Sequence, residues 1–351
     1  MRKLSLANDD TLVYRIRFAS PVHLGSGVEN TPSDFFRVAS LRGALRFWYR
    51  AMVGAQDLKS LKRGEANIFG DTEQGSKVIL RAEGSLKGGI KFAVSRPKGK
   101  SAAPDGNGYM GYSFHKTNKT PERYPLEIKK DIYLRVYFRN CSEDERIKAE
   151  AAIWLALHFG GVGMRSRRGY GSIQGEIVLG TPLFQGLFNH ADRNELEKNM
   201  INSIGEIMSF SCFTGNGMPS FPVIAPDYFL FAIFKNESKD CRDALNLAGS
   251  NYFNWRIGDN YKAPNRRGSG IDQKREHKNR RELGLPITGG PSGRLASPLI
   301  FHLHRLGNGK TAVVAGAFKY AKSGKGLAQE FLKYYLQEKE IADYYPLEGD
   351  E

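Results

Sequence analysis

The sequence predicts an α+β protein in which antiparallel sheets carry helices packed on one face. Two observations support this class. Segments with strand-like alternation and segments with helical periodicity are interleaved over residues 11–179, and a similar order returns in the second half. The first-half order is strand, helix, two or three strands, helix and strand, which is close to the ferredoxin-like pattern of two split βαβ units.

Local signals place the first-half elements. Residues 11–19 alternate as a strand, and Ser40 is positioned to cap a helix that ends near Gly54. Ser142 with Glu145 forms a capping-box pattern at the start of a second helix. The remaining strands are predicted at 76–83, 90–96, 131–139 and 172–179, the first two as a pair, and a polar loop at 97–125.

The second half repeats a strand–helix–strand–strand–helix order. The predicted elements are a linking helix at 191–209, a strand at 227–235, a short helix at 239–248, strands at 298–306 and 311–318, and a helix at 325–343. We therefore expect two domains, 1–185 and 186–351, the second with a polar insertion at about 256–297. Arg266, Arg267, Lys274 and Arg275 lie in this insertion, which is either an arm that orders on RNA or a solubilising loop.

The charge balance favours an anionic partner. Lys and Arg number 52 against 37 Asp and Glu, which gives a net charge of +15. This excess indicates nucleic acid, or less often an anionic membrane. No apolar run is long enough to span a membrane, and the first residues do not resemble a signal peptide, so we expect a cytoplasmic protein without a membrane partner. The three cysteines form no CxxC pair, so neither a zinc site nor another cofactor is expected.

The segment 160–175 contains six glycines and three arginines, and neither helix nor strand propensity explains it. Glycine lets the backbone approach a ligand closely, and arginine binds phosphates through its guanidinium fork. A polyanion-binding loop is therefore predicted, with a solvated mobile turn as the alternative. Its candidate contacts are Gly161, Gly163, Arg165, Arg167, Arg168 and Tyr170.

A second basic feature lies on the first helix, where Arg42, Arg46 and Arg50 recur every four residues beside an apolar face. The stripe is either solvated or in contact with phosphates. In a ferredoxin-like unit the first helix and the loop before the last strand can approach each other. The two basic clusters could therefore form one patch.

Several motifs together resemble the RAMP superfamily of CRISPR-associated proteins. They include Ser-Leu-Arg-Gly-Ala-Leu-Arg at 40–46 with its aromatic continuation at 47–50, and Gly-Gly-Val-Gly-Met-Arg-Ser-Arg-Arg-Gly-Tyr-Gly at 160–171. Ile-Phe-Gly at 68–70 and Arg-Leu-Ala-Ser-Pro-Leu at 294–299 fit the same family. Within the family, the motifs most resemble those of the first-numbered subunit of the type III-B (Cmr) effector complex. The glycine turn after the first strand is sparser than is usual in the family.

The resemblance implies two ferredoxin-like (RRM-like) domains and assembly with other RAMP subunits in an RNA-guided antiviral complex. It further implies contact with guide RNA, target RNA or both, without cleavage. An endoribonuclease is the alternative, in which His23 acts as general base or Asp34 supports a metal-dependent route. His302 and His304 share a strand face, but packing or pairing is favoured over metal binding because no third ligand is apparent. A scaffold that contacts only proteins is a third reading.

Overall fold

A computed structural model describes residues 10–346, except 27–30, 56, 97–104, 117, 119–120, 215–216, 258–282, 284–295, 322–325 and 338. In the first half the elements are β1 (Thr11–Phe18), α1 (Val38–Val53), α2 (Leu58–Phe69), β2 (Val78–Glu83), β3 (Ile90–Lys91), α3 (Gly106–Met110), β4 (Leu126–Glu127), β5 (Ile132–Phe138), α4 (Glu143–His158) and β6 (Ile173–Leu179). In the second half they are α5 (Arg193–Met208), β7 (Phe229–Phe234), α6 (Cys241–Ile257), β8 (Leu299–Arg305), β9 (Thr311–Phe318), α7 (Leu327–Glu330, continued by a π-helical turn at Phe331–Leu336) and β10 (Ala342–Pro346).

The first half builds a four-stranded antiparallel sheet in the order β2-β5-β1-β6. Alternation along β1 sends Leu12, Tyr14 and Ile16 to one face, where they are fully buried, and Arg15 and Arg17 to the other. The buried face packs on α1 and α4, whose apolar side chains join the same core. One face of this sheet is therefore covered by helices.

The second half builds a four-stranded antiparallel sheet in the order β10-β7-β9-β8, and both of its faces are buried. All six residues of β7 and all eight of β9 are buried, which explains their continuous apolar sequences. One face packs on α6 and the π-helical turn, where Phe301 contacts Phe331. The other face packs on helices of the first half.

Aromatic side chains join the two halves. Phe159, at the end of α4, lies 5.8 Å from Trp48 of α1, 5.5 Å from Phe229 and 5.8 Å from Phe231, all between ring centroids. Trp48 also lies 6.1 Å from Phe318 of β9. The helices α1 and α4 thus lie between the two sheets, and the layers follow the order sheet, helices, sheet, helices. Side chains of α5 belong to this shared core as well.

The α+β prediction is confirmed, and most predicted elements lie within a few residues of their expected places. The capping box at α4 is present: the Glu145 amide donates to Ser142 Oγ (3.2 Å), and the Ser142 amide donates to the Glu145 carboxylate (2.9 Å). Two expectations are wrong: the strand 76–83 pairs with β5 rather than with 90–96, and the N-cap residue of α1 is Arg37, without a side-chain cap, rather than Ser40. The helix predicted at 325–343 is present over 327–336, and β10, which was not predicted, begins at the expected end of that helix and closes the second sheet.

Through the described part of the chain, no helix has both the length and the apolar character needed to cross a membrane. Most of the basic insertion predicted at 256–297 lies outside the described residues, including Arg266, Arg267, Lys274 and Arg275. Their expected contact with RNA stays a prediction.

Candidate nucleic-acid interface

The glycine-rich loop, residues 160–171, connects α4 to β6 and folds tightly against the chain around residue 23. Gly163 has a φ of 84°, and a Cβ there would lie 2.4 Å from the His23 carbonyl oxygen. The Met164 amide donates to that same oxygen at 2.9 Å. Gly171, with a φ of 67°, lies against the Val162 carbonyl oxygen in the same way. The loop therefore needs glycine at these positions for its own packing, independently of any ligand.

Arg168 lies between the two halves and is only 6% exposed. Its guanidinium lies 4.7 Å from the ring centroid of Tyr252 and donates to the Tyr252 hydroxyl at 3.2 Å. It also donates to the carbonyl oxygens of Leu299 and Leu283. Tyr170 is fully buried, and its hydroxyl donates to the Asn107 carbonyl at 3.0 Å. Both side chains are engaged in internal packing, which argues against direct RNA contacts of Arg168 and Tyr170; those contacts stay a prediction.

Arg165 and Arg167 are half-buried. Arg165 Nε donates to the Met110 carbonyl oxygen at 2.6 Å, and its guanidinium lies 4.7 Å from the Tyr112 ring centroid. Arg167 donates to the Ser297 carbonyl oxygen, and its guanidinium lies 4.6 Å from the Phe47 ring centroid on α1. Burial, followed by the charge of Arg168, lowers the pKa of Arg165 to about 10, and burial lowers that of Arg167. Both remain cationic at neutral pH.

None of these three arginines forms an ion pair with a carboxylate in the described residues. Their partners are carbonyl oxygens, one hydroxyl and aromatic rings, which leave the positive charge uncompensated. Of the three, Arg167 lines a groove, and the uncompensated charge there attracts anions because low-dielectric walls focus its field.

The basic stripe on α1 is divided between two environments. Arg50 forms an ion pair with Glu65 of α2 at 2.6 Å, and Arg46 lies 3.4 Å from the same carboxylate. Arg46 also donates to the carbonyl oxygens of Phe69 and Gly70, where it satisfies the end of α2. Arg42 is half-buried, and its Nε makes no hydrogen bond with a described residue. Of the stripe, Arg42 is the member best placed to bind an anion.

A groove separates the first half of α1 from the glycine-rich loop. We call it the helix–loop groove; its volume is about 390 Å³, and its lining includes Ser40, Gly43, Ala44 and Phe47 of α1 with Gly160, Gly161, Gly163, Ser166 and Arg167 of the loop. The predicted helix and loop therefore meet at one surface, but of the two basic clusters only Arg167 lines it. Ser40 and Phe47 were not predicted as lining residues, although both lie in the motif at 40–50.

Gly43 is the most informative residue of this groove. It is exposed in the interior of α1, and a Cβ there would meet no atom within 4 Å. A glycine inside a helix costs about 1 kcal/mol relative to alanine. Since internal packing does not require that glycine, its absent side chain leaves room at a surface where a ligand can approach the helix backbone.

The two catalytic candidates differ in access. His23 is 4% exposed, and its Nδ1 lies 2.7 Å from the Tyr124 carbonyl oxygen, to which it donates. Burial lowers the pKa of His23, so the ring is neutral but enclosed. Asp34 is exposed at a broad cleft of about 1070 Å³ that Lys91 also lines. The enclosure of His23 argues against its role as general base.

Three imidazoles lie together in the core between the halves. Ring nitrogens of His158, His190 and His304 lie within 4.8 Å of one another, an arrangement that can hold a metal ion. Asn199 is held by Leu187, whose amide donates to Asn199 Oδ1 and whose carbonyl accepts from Nδ2. Asn199 Nδ2 therefore donates to His190 Nε2 at 2.7 Å, and His190 Nδ1 donates to His304 Nε2 at 2.9 Å. This network favours a hydrogen-bonded cluster over a metal centre, because a proton occupies the space between two of the rings.

His302, on the same strand as His304, donates from Nδ1 to the Gly160 carbonyl oxygen at 2.7 Å. Burial lowers the pKa of His190 and His302 to about 4. Burial and neighbouring imidazoles lower those of His158 and His304 well below the ordinary value. The four rings are therefore neutral at pH 7, which agrees with the expectation that His302 and His304 serve packing and pairing.

Comparisons with known proteins place these features in a family. A sequence model of the RAMP superfamily matches residues 15–174, which include α1, the glycine-rich loop and the start of β6. The chain is 29% identical over 182 residues to the CRISPR system Cmr subunit Cmr1-2 of Pyrococcus furiosus, covering 47% of this chain and 95% of that protein. It is 27% identical over 201 residues to Cmr1-1 of the same organism, covering 54% of this chain and 56% of that protein, so the match spans about half of Cmr1-1.

Solved structures show the same fold. The crystal structure of apo Cmr1 from Pyrococcus furiosus matches with a TM-score of 0.60 at 19% identity, over 95% of this chain and 98% of that chain. A chain of the type III-B Cmr-beta complex bound to cognate target RNA matches with a TM-score of 0.53 at 11% identity, over 93% of this chain and 100% of that chain. The solved structures show the shared fold, and the family-model match shows that residues 15–174, with α1 and the glycine-rich loop, belong to the RAMP superfamily.

Proposed function

We propose that the protein is an RNA-binding subunit of a type III-B CRISPR effector complex in the cytoplasm. It contacts guide RNA, target RNA or both in antiviral defence, assembles with other RAMP subunits, and does not cut RNA. The helix–loop groove is the proposed contact surface, with Arg167 as a phosphate ligand and Phe47 as an aromatic wall. Arg42, which lies on α1 outside the lining of the groove, is proposed as a second phosphate ligand.

The observation that carries this proposal is the empty space above Gly43. Glycine at this exposed helical position lowers helix stability by about 1 kcal/mol relative to alanine, and no packing contact requires it. The absent side chain leaves the helix backbone accessible to a ligand. The uncompensated guanidinium of Arg167 at the same groove supports an anionic ligand. The net charge of +15 supports a long polyanion rather than a small anion.

The comparisons support the cellular setting. The relatives are named as Cmr subunits, and two of the similar chains come from Cmr-beta complexes bound to cognate target RNA. Those names describe the relatives, and the proposal extends them to this chain.

We propose further that the two sheets belong to two ferredoxin-like domains, with the division near residue 185. When the strands of each sheet are numbered along the chain, the first has the order 2-3-1-4 and the second 4-1-3-2, which are the same order read from opposite edges. A split βαβ unit has this order. The four buried apolar residues of α5 lie in the core shared with the first sheet, so the linker is part of the joint between domains.

Two readouts test the proposal. Binding of a fluorescent single-stranded RNA to the purified protein should weaken as salt rises. The double variant Arg42→Ala/Arg167→Ala should lose at least tenfold in affinity and lower the salt slope by about 1.4, since each lost phosphate contact removes about 0.7. The control Lys239→Ala/Lys310→Ala removes the same charge from exposed sites of the second half and should bind within about twofold of the wild-type protein.

Incubation of the protein with complementary RNA, with Mg²⁺ or with EDTA, tests the absence of cleavage. Intact RNA under both conditions is expected. Cleavage that disappears with EDTA or in Asp34→Ala would instead support the metal-dependent nuclease. The absence of any salt-sensitive RNA affinity would support a scaffold that contacts only proteins.

A further inference from the structure

The open face of the first sheet combines one exposed and one half-buried tyrosine ring with arginines. On β5, Tyr133, Arg135 and Tyr137 alternate outward between buried residues, and Tyr133 is 41% exposed. The helices α1 and α4 pack on the opposite face of this sheet. The outward side chains of β5 therefore lie on a surface that neither of these helices covers.

Strand register arranges these side chains in rows. Arg81 of β2 and Val13 of β1 lie on either side of Arg135, and Glu83 of β2 and Arg15 of β1 lie on either side of Tyr133. The Arg81 guanidinium lies 5.8 Å from the Tyr137 ring centroid. The two tyrosines are four residues apart on one strand, about 13 Å, with a guanidinium between them. Two stacking surfaces separated by a cation match a nucleic-acid strand, which alternates flat bases with charged phosphates.

The cations of this face can exchange their partners. Arg135 pairs with Glu83 at 2.7 Å, and Arg17 pairs with Asp131 at 3.0 Å. Exposed ion pairs of this kind contribute about 0–1 kcal/mol, so a phosphate can replace a carboxylate at little cost. Arg81 forms no ion pair with a described residue, which leaves it available.

A basic cleft extends this face toward the second half. Its volume is about 620 Å³, and its cations are Arg15, Arg17, Lys129, Lys130 and Arg305. The carboxylates that line it are Asp131 and Glu176. Cations therefore exceed acids in the lining of this cleft, which reaches the β8–β9 turn at Gly307.

We propose that this face, which we call the sheet platform, binds single-stranded RNA by stacking bases on Tyr133 and Tyr137, with phosphates held by Arg81 and by the basic cleft. The aromatic side chains of RRM sheets capture unpaired bases by the same physical means. The inference rests on the proposed function as an RNA-binding subunit, and it adds a second contact surface on the other side of the sheet from α1. The arginines of the platform and its two tyrosine rings, one exposed and one half-buried, favour RNA over a protein partner.

The test compares Tyr133→Ala/Tyr137→Ala with Tyr133→Phe/Tyr137→Phe. Base stacking contributes roughly 1–3 kcal/mol per base, so the alanine pair should weaken binding of a single-stranded oligouridine RNA by at least tenfold. The phenylalanine pair keeps the rings and should bind within about twofold of the wild-type protein. Tyr334→Ala, which removes a ring 52% exposed in the second half, is the matched control and should leave the affinity unchanged. Thermal unfolding verifies that each variant is folded.

The outcomes separate the two proposals. If the alanine pair binds RNA like the wild-type protein while Arg42→Ala/Arg167→Ala does not, the sheet platform is wrong and the helix–loop groove stands. If the wild-type protein has no salt-sensitive affinity for RNA, the proposed function itself fails. If the alanine pair keeps its RNA affinity but no longer associates with other effector subunits, the platform is a protein interface, and the inference is overturned. Photocrosslinking of 5-bromouridine RNA to Tyr133 or Tyr137 would support stacking directly.

Discussion

Gly43 gives the sharpest prediction, because stability and binding should change in opposite directions. Replacement by glutamine supplies a better helix former at an exposed helical position and should raise the free energy of unfolding by roughly 0.5 kcal/mol. The new side chain would occupy the helix–loop groove, whose volume of about 390 Å³ corresponds to roughly a dozen water molecules. A ligand that approaches the α1 backbone would then be displaced. We expect RNA affinity to fall at least tenfold, which is about 1.4 kcal/mol.

Gly205 provides the control. It is also exposed inside a helix, α5, and a Cβ there would meet nothing within 4 Å, but it does not line the groove. Gly205→Gln should therefore gain similar stability and keep its RNA affinity. Urea unfolding and fluorescence anisotropy measure the two quantities on the same samples. Equal RNA affinity in Gly43→Gln and Gly205→Gln would refute the role of the groove, and a stability loss in Gly43→Gln would refute the claim that the space above Gly43 is empty.

Three further predictions concern the joint between the halves. Arg168→Ala should lower the free energy of unfolding by about 3 kcal/mol, because it removes hydrogen bonds to Tyr252 and to two buried carbonyl oxygens. An Arg168→Ala protein that is as stable as the wild type but binds RNA more weakly would instead support direct contact of Arg168 with RNA. Phe159→Ala should cost about 3–5 kcal/mol in urea unfolding and loosen both sheets together, since its ring contacts helices and strands of both halves; a loss confined to one half would contradict a shared core. The free energy of unfolding should also fall as the pH drops from 6.5 to about 4, because the buried histidines stay neutral while those of the unfolded chain gain protons. Each such histidine lowers the free energy of unfolding by about 1.4 kcal/mol per pH unit in this range. Equal stabilities in urea titrations at pH 7.5 and pH 5 would contradict their burial.

Some of this protein could be predicted because local chemistry specifies it. The α4 capping box depends on Ser142 and Glu145, which are three residues apart, and the structure confirms it. The alternation of β1 and β5 was visible for the same reason, since each strand has one covered and one open face. By contrast, β10 was not predicted, and its first two residues were assigned to the preceding helix. Its partner β7 lies more than a hundred residues earlier, so the pairing cannot be inferred from short-range patterns.

The candidate site shows the same division. The expected approach of the first helix and the glycine-rich loop is present, since both line one groove, and RNA binding there stays a prediction. The roles of individual arginines could not be predicted, because the carbonyl oxygens that hold Arg168 come from residues 115 or more positions away along the chain. The tyrosines of the sheet platform were also missed as a site. Their alternation was noted as a strand signal, but only strand register brings Arg81 beside Tyr137.

The sequence by itself determined the class of the fold, the family motifs and the large excess of positive charge, since each depends on residue type and short-range order. Only the tertiary structure decided which charges remain available to a ligand. A guanidinium is free or occupied according to the carbonyls, rings and carboxylates that folding brings within a few ångströms of it, and those neighbours come from distant parts of the chain. For this reason Arg167 faces a groove while the adjacent Arg168 joins the two halves of the molecule.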